Sequence, residues 1–265
     1  MNFEDFKMNT IQTETVVKVK TIRDEPVIEI HDLKKSFNKQ EVLKNVSLKL
    51  FNGENLAVIG KSGTGKSVLI KCIVGLLNAD GGTIEIFEKK VNTLSRKELG
   101  ELRQEIGFLF QSGALYDSMT VRQNLEFPLR RTRKNISQKE IDEKVREVLE
   151  NVGLSDAIDK MPSQLSGGMR KRISLARTII VDPRIMLYDE PTTGLDPATS
   201  NEISSLINEV QKKYKTSSLI ITHDIECTRT TANRIIMLKD GEVYLEGNVE
   251  DFENSPDPVI KSFFK

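Results

Sequence analysis

Apolar residues change their spacing along this chain, and each change marks a different element. Ile28 and Ile30 alternate with polar neighbours, as do Val46, Leu48 and Leu50 across Lys44–Leu50. A period of two places such residues on one face of a strand, so order is expected to begin near Val27 with two half-buried strands. Asn52-Gly53 is a turn signal, and the unbroken apolar run Leu56–Ile59 behind it suits a strand covered on both faces. Across Lys66–Leu77 apolar residues surround the helical wheel almost completely, which predicts a buried central helix ended by the turn residues of Asn78–Gly82. Ser95 with Glu98, and Ser137 with Glu140, have capping-box spacing. The first pair predicts a helix to about Glu105. The second opens a helix with Ile141, Val145, Val148, Leu149 and Val152 on one face. Ile185–Asp189, Leu219–Thr222 and Ile235–Leu238 are short apolar strands between helical stretches. Such alternation predicts an α/β fold, a mostly parallel sheet with helices on both faces. Residues 113 to 169 lack strand patterns and are expected to form a helical insert. Residues 1–26 are a polar extension; within it Thr13–Lys20 is rich in β-formers without a partner pattern and is expected to be poorly ordered or an edge strand.

Composition narrows the function classes. A length of 265 residues suits one large α/β domain or two small ones. Lys+Arg and Asp+Glu are both 39, and this zero net charge argues against a protein that binds nucleic acid through bulk phosphate contacts. No apolar run approaches the ~20 residues of a membrane-spanning helix. Met1–Lys7 contains Glu4 and Asp5 and no apolar core, so it does not read as a signal peptide. Cys72 and Cys227 are the only cysteines, too few for a disulfide scaffold or a zinc site. The expectation is a cytosolic protein without a membrane anchor of its own.

The segment Gly60-Lys61-Ser62-Gly63-Thr64-Gly65-Lys66-Ser67 matches G-x-x-x-x-G-K-[ST] in full. Glycines at 60, 63 and 65 let successive N–H groups point inward as a nest for anionic oxygen. The positive end of the following helix adds to the same spot. Lys66 has the reach for β- and γ-phosphates, and the Ser67 hydroxyl for Mg²⁺. Ile185-Met186-Leu187-Tyr188-Asp189-Glu190 is an apolar strand ending in two carboxylates, at the sheet edge where α/β folds bind ligands. Asp189 would hold Mg²⁺ and Glu190 would polarise an attacking water; a surface acidic pair is the bland alternative. A second small-residue turn, Leu165-Ser166-Gly167-Gly168-Met169, opens another helix, with Arg170, Lys171 and Arg172 close behind. Such a turn alone usually reads as a plain helix cap; its place before the carboxylate strand makes it a candidate second anion site on a helix N-terminus. Ser166 lies 23 residues before Asp189.

With both loops present, the chain resembles the ATP-binding cassette (ABC) family, whose signature is LSGGQ-like; Met169 replaces the glutamine here. The resemblance covers 27–265 and implies a P-loop NTPase core with an N-terminal antiparallel β subdomain and a helical subdomain of about 113–170. It also implies residue roles. Phe37, 23 residues before Gly60, matches the aromatic that stacks on adenine, with a plain apolar strand end as the competing reading. Gln111 matches the glutamine that meets Mg²⁺ and water. Asp196, in Gly194-Leu195-Asp196-Pro197, matches the D-loop. His223, 34 residues after Asp189, matches the switch histidine at the γ-phosphate, whereas His31 reads as structural. The family implies ATP and Mg²⁺ as cofactors. It further implies a head-to-tail pair in which Ser166, Gly167 and Gly168 of one copy cap the ATP on residues 60–67 of the other.

Residues 109 to 121, most of all Gln111-Ser112-Gly113-Ala114-Leu115, and the ending Ser255 to Phe264 resemble the Mla ATPases of phospholipid trafficking. That implies an integral membrane permease, an MCE-type lipid-binding protein and a small regulatory subunit as partners, no nucleic acid, and a place on the cytoplasmic side of the inner membrane. Some relatives carry a longer C-terminal tail that grips the neighbouring subunit. A cassette that imports polar solutes such as amino acids is the alternative, since the ATP chemistry is shared and substrate is chosen elsewhere. A soluble ABC ATPase is a third.

Overall fold

The computed structural model describes residues 25–38 and 40–264. Most of the polar extension, including Met1–Lys7 and Thr13–Lys20, therefore lies outside the described residues. In chain order, β1 (Pro26–Phe37), β2 (Gln40–Phe51) and β3 (Asn55–Ile59) lead into α1 (Lys66–Ile73). Next come β4 (Gly81–Ile86), β5 (Lys89–Lys90), α2 (Arg96–Gln104) and β6 (Ile106–Leu109). Helices α3 (Val121–Thr132), α4 (Gln138–Asn151) and α5 (Gly167–Ile179) follow without a strand until β7 (Ile185–Asp189). The remainder is α6 (Pro197–Tyr214), β8 (Ser217–Thr222), α7 (Ile225–Thr231), β9 (Arg234–Lys239), β10 (Glu242–Gly247), α8 (Val249–Glu253) and α9 (Pro258–Phe264).

Two sheets result, and the alternation of side chains explains both. Strands β2, β1, β4 and β5 form an antiparallel sheet in which Ile28 faces Leu50 and Ile86, and Ile30 faces Leu48 and Ile84. The larger sheet runs β10-β9-β3-β8-β7-β6; only the edge strand β10 pairs antiparallel. Successive residues of its strands point to opposite faces. Leu56, Val58, Leu187 and Ile221 therefore join α1 and the first sheet in one core. Met186, Tyr188 and Ile220 pack instead with the helices between β6 and β7, and Ala57, Ile59, Ile235 and Met237 with Phe252, Ile260 and Phe264. The sheet is mostly parallel and covered on both faces, as the pattern predicts.

Both anticipated capping boxes form, Ser95 with Glu98 at α2 and Ser137 with Glu140 at α4. The helix expected over Lys66–Leu77 is shorter. It stops at Ile73 because Gly75 takes the left-handed conformation (φ 66°), and the N–H groups of Leu76 and Leu77 turn back to the Lys71 carbonyl. Leu76 consequently lies half exposed rather than on a buried wheel.

The strand order decides where the chemistry gathers. Ile59 pairs with Thr222, Asp189 with Ile221 and Leu109 with Tyr188, so β3, β8, β7 and β6 end side by side. The segments leaving those ends carry Gly60, His223, Glu190 and Gln111. All four emerge at one carboxyl edge of a parallel sheet.

Candidate nucleotide site

The glycine loop is built around backbone contacts that exclude side chains. A Cβ on Gly60 would lie 2.4 Å from the Leu238 carbonyl oxygen, and one on Gly65 would lie 2.7 Å from Leu43 Cδ2 and 2.9 Å from the Val42 oxygen. Gly65 is also left-handed (φ 97°) at the N-cap of α1 and offers no side-chain cap, so the first N–H groups of that helix remain available to an anion. The Thr64 hydroxyl closes the loop by donating to the Lys61 carbonyl at 2.9 Å. Buried Lys66 donates from Nζ to the carbonyls of Gly60 (2.7 Å) and Lys61 (3.1 Å). Burial pulls its pKa down, against the attraction of Glu190 and Asp189. A cation held by neutral carbonyls in a low-dielectric cradle is ready to exchange them for phosphate oxygen.

Two carboxylates lie near it, and of these Glu190 lines the cavity. The Ser67 hydroxyl donates to Asp189 Oδ1 at 3.1 Å. Burial raises the Asp189 pKa, the Ser67 bond lowers it, and the neighbouring Glu190 charge raises it again. Glu190 is a non-glycine residue in the left-handed region (φ 50°). Its surroundings over-determine that conformation: its N–H donates to the Ile221 carbonyl (2.8 Å), and its Oε2 meets His223 Nδ1 (2.8 Å) and the Thr193 hydroxyl (3.2 Å). Lys61, Ser62, Gly63, Gly65, Lys66, Ser67, Gln111, Glu190 and His223 line one cavity of about 780 Å³, roomy enough for a nucleoside triphosphate. Hydroxyl, carboxylate and amide oxygens are hard donors, so Ser67, Asp189 and Gln111 fit Mg²⁺, which keeps several waters and needs few protein ligands.

Other anticipated residues stand apart. Phe37 ends β1, is 42% exposed and does not line the cavity. Asp196 spends its carboxylate on capping α6, accepting from the Thr199 N–H (3.0 Å) and hydroxyl (2.6 Å); within this chain it is a cap rather than a nucleotide contact. Ser166 caps α5, accepting from the Met169 N–H at 3.2 Å, and Gly167 and Gly168 form its first turn, likewise outside the cavity. Gly168 packs so closely on α6 that a Cβ would lie 2.5 Å from Thr199 Cγ2.

The basic run behind that turn does not act as one anion site. Arg170 donates to the Leu165 carbonyl (3.0 Å) and Arg172 pairs with Glu202. Lys171 turns inward, reaching the carbonyls of Gln111 (2.5 Å) and Glu190 (3.5 Å). The clue lies in its spacing: Lys171 shares a helical stripe with Ser174 and Leu175, both buried. Ser262 and Phe263 of α9 also line the cavity. Nothing local announces them, because a tertiary approach brings α9 there.

The profile of the ABC transporter family matches residues 43–193. The methionine import ATP-binding protein MetN of Clostridium tetani is 37% identical over 239 residues, covering 90% of this chain and 74% of that protein. Protein TRIGALACTOSYLDIACYLGLYCEROL 3, chloroplastic, of Arabidopsis thaliana is 40% identical over 254 residues, covering 89% and 73%. Among solved structures, the dimeric post-hydrolysis state of the ATP-binding cassette MJ0796 bound to ADP and Pi superposes with a TM-score of 0.77 at 33% identity, covering 84% of this chain and 98% of that one. A glycine cradle, paired carboxylates and a separate Ser-Gly-Gly turn thus sit on a fold shared with cassette ATPases, and the chain belongs to the ABC transporter family as an ATP-binding, ATP-hydrolysing subunit.

Proposed function

We propose that two copies of this chain pair head to tail around two ATP molecules and drive a membrane transporter. One observation carries the reading: most of the glycine loop lines the cavity with Gln111, Glu190 and His223, while the Ser166–Gly168 turn lies outside it on the same chain. A second copy would bring that turn to the open side of the nucleotide. The dimeric form of the similar cassette MJ0796 supports the pairing.

In this reading the N–H groups of the glycine loop and Lys66 hold the β- and γ-phosphates, and Phe37 stacks on adenine from the loop's outer side. Ser67 and Asp189, with Gln111, would hold Mg²⁺, which would supply charge neutralisation at the phosphate oxygens. Glu190 accepts the proton of the attacking water while His223, on Glu190 Oε2, fixes that carboxylate and faces the γ-phosphate. Asp196 keeps the turn before α6 in shape. The helices between β6 and β7 dock an integral membrane permease at the cytoplasmic side. No described helix is itself long and apolar enough to cross a membrane.

For the cargo we infer a small polar solute, imported; the methionine-import relative supports this. A second reading, phospholipid movement with an MCE-type partner, is favoured by Gln111–Leu115 and by the chloroplast relative, whose name contains a diacylglycerol lipid. Purifying the chain with its membrane partners separates the two. A solute-binding receptor without enriched phospholipid supports import, and an MCE protein carrying phospholipid supports the second reading. The motor itself is tested by Glu190→Gln, expected to lower ATP turnover roughly 10²- to 10⁴-fold while an ATP-dependent dimer mass persists. Unchanged turnover would remove Glu190 from its role.

A further inference from the structure

Helix α5 does more than present the Ser-Gly-Gly turn. Along its inner face, at one-turn intervals, it grips the segment that follows β6. Lys171 Nζ lies 2.5 Å from the Gln111 carbonyl, a Cβ on Gly113 would lie 2.6 Å from Ser174 Oγ, and Arg177 donates to the Ala114 carbonyl at 2.6 Å. Lys171 is buried, only 6% exposed, and its ammonium also approaches the carbonyl of strained Glu190 at 3.5 Å. A lysine desolvated to this degree is retained only where its N–H groups find acceptors. Its acceptors here are the backbones of two residues that line the candidate nucleotide cavity of their own subunit. One turn back along the same helix stand Ser166, Gly167 and Gly168, which in the proposed pair would meet the ATP of the second copy.

We propose that Lys171 is a positioning residue that couples the two ATP sites. Capture of the partner's ATP by the Ser166–Gly168 turn fixes α5, and Lys171 passes that position to Gln111 and Glu190, completing their own site. The inference rests on the head-to-tail pair of the preceding section. It adds a route by which each nucleotide reports to the other, through two contacts one turn apart at the start of α5.

The full chain, with its permease if needed for solubility, is compared as wild type, Lys171→Met and Lys171→Arg. Lys171→Met is expected to lower kcat about 2- to 30-fold, the range of couplings carried through contact networks. Its Hill coefficient for ATP falls toward one. Binding of a fluorescent ATP analogue and the melting temperature stay near wild type, because the glycine loop is intact. Lys171→Arg, which keeps the charge and donors, restores cooperativity at least in part. A wild-type Hill coefficient of one, or a Lys171→Met enzyme with kcat and cooperativity retained, overturns the coupling. Losses that follow the melting temperature with no rescue by arginine overturn it too, leaving a packing role. As a second measurement, hydrogen exchange of residues 111–114 in the Glu190→Gln background is expected to slow on ATP addition, and Lys171→Met to abolish that slowing; ATP slowing that persists in Lys171→Met overturns the coupling. Dimer mass in that background separates the two hypotheses. No ATP-dependent dimer means the paired arrangement fails; a dimer with an unaltered Lys171→Met means only the coupling fails.

Discussion

Gly60 occupies a position that no side chain fits, since its missing Cβ is where the Leu238 carbonyl oxygen passes, 2.4 Å away. Gly60→Ala must therefore push the loop off β9. Strain of this kind costs about 1–3 kcal/mol, so ATP binding measured by calorimetry is expected to weaken roughly 5- to 150-fold. An alanine variant that binds as wild type would show that the loop relocates freely. Residue chemistry of this sort is legible in the sequence, because G-x-x-x-x-G-K-[ST] states which positions lack a side chain. The direction of Lys171 is less legible. It sits between two arginines that point outward, and only the burial of Ser174 and Leu175 on the same stripe reveals that it points in.

Elements carry the next set of consequences. The stretch from Tyr116 to Thr120 has no regular structure of its own and hangs on one fully buried side chain. Asn124 Nδ2 donates to the carbonyls of Tyr116 (3.1 Å), Met119 (3.0 Å) and Thr120 (3.0 Å), while its Oδ1 accepts from the Tyr116 N–H (2.8 Å). Asn124→Ala strands those partners, a loss of about 1–3 kcal/mol. Chemical denaturation should register it, together with faster hydrogen exchange over residues 116–120; a neutral result would mean that water replaces the amide. Between α3 and α4, burial pushes the Glu126 pKa up, but hydrogen bonds from Arg122 and Arg130 outweigh it and hold the carboxyl below its usual value. Asp142 is likewise lowered, first by its bond from Arg122. A depressed folded-state pKa means stabilisation that is complete above the unfolded value and disappears as pH falls through the folded one. Melting temperature is thus expected to fall between about pH 5 and the acid limit, less steeply in Glu126→Gln; equal slopes would dismiss this cluster as a contributor. Periodicity predicts β3, β7, β8 and the capped helices because each has a local pattern. It misplaces the end of α1, where a single glycine outweighs the apolar wheel. It is silent on α9 at the cavity wall, whose position follows from the packing of Ile260 and Phe264.

At the scale of the molecule, both cysteines lie buried. Burial raises the thiols of Cys72 and Cys227 to about 11, so the reactive thiolate is scarce near neutral pH. Neither cysteine should be labelled by an aromatic disulfide reagent until the chain unfolds, and rapid labelling of the native protein would contradict the core described above. The order of strands in the larger sheet has a consequence for biosynthesis. Leu56 of β3 lies between Leu219 of β8 and Arg234 of β9, so the strand that supports the glycine loop leaves the ribosome long before its neighbours exist. Until most of the polypeptide has been made, that apolar strand has no parallel partners and the triphosphate cradle has no floor. Nascent chains interrupted before β8 would be inert toward nucleotide and prone to stick to one another through β3, a burden on chaperones that the finished enzyme never shows.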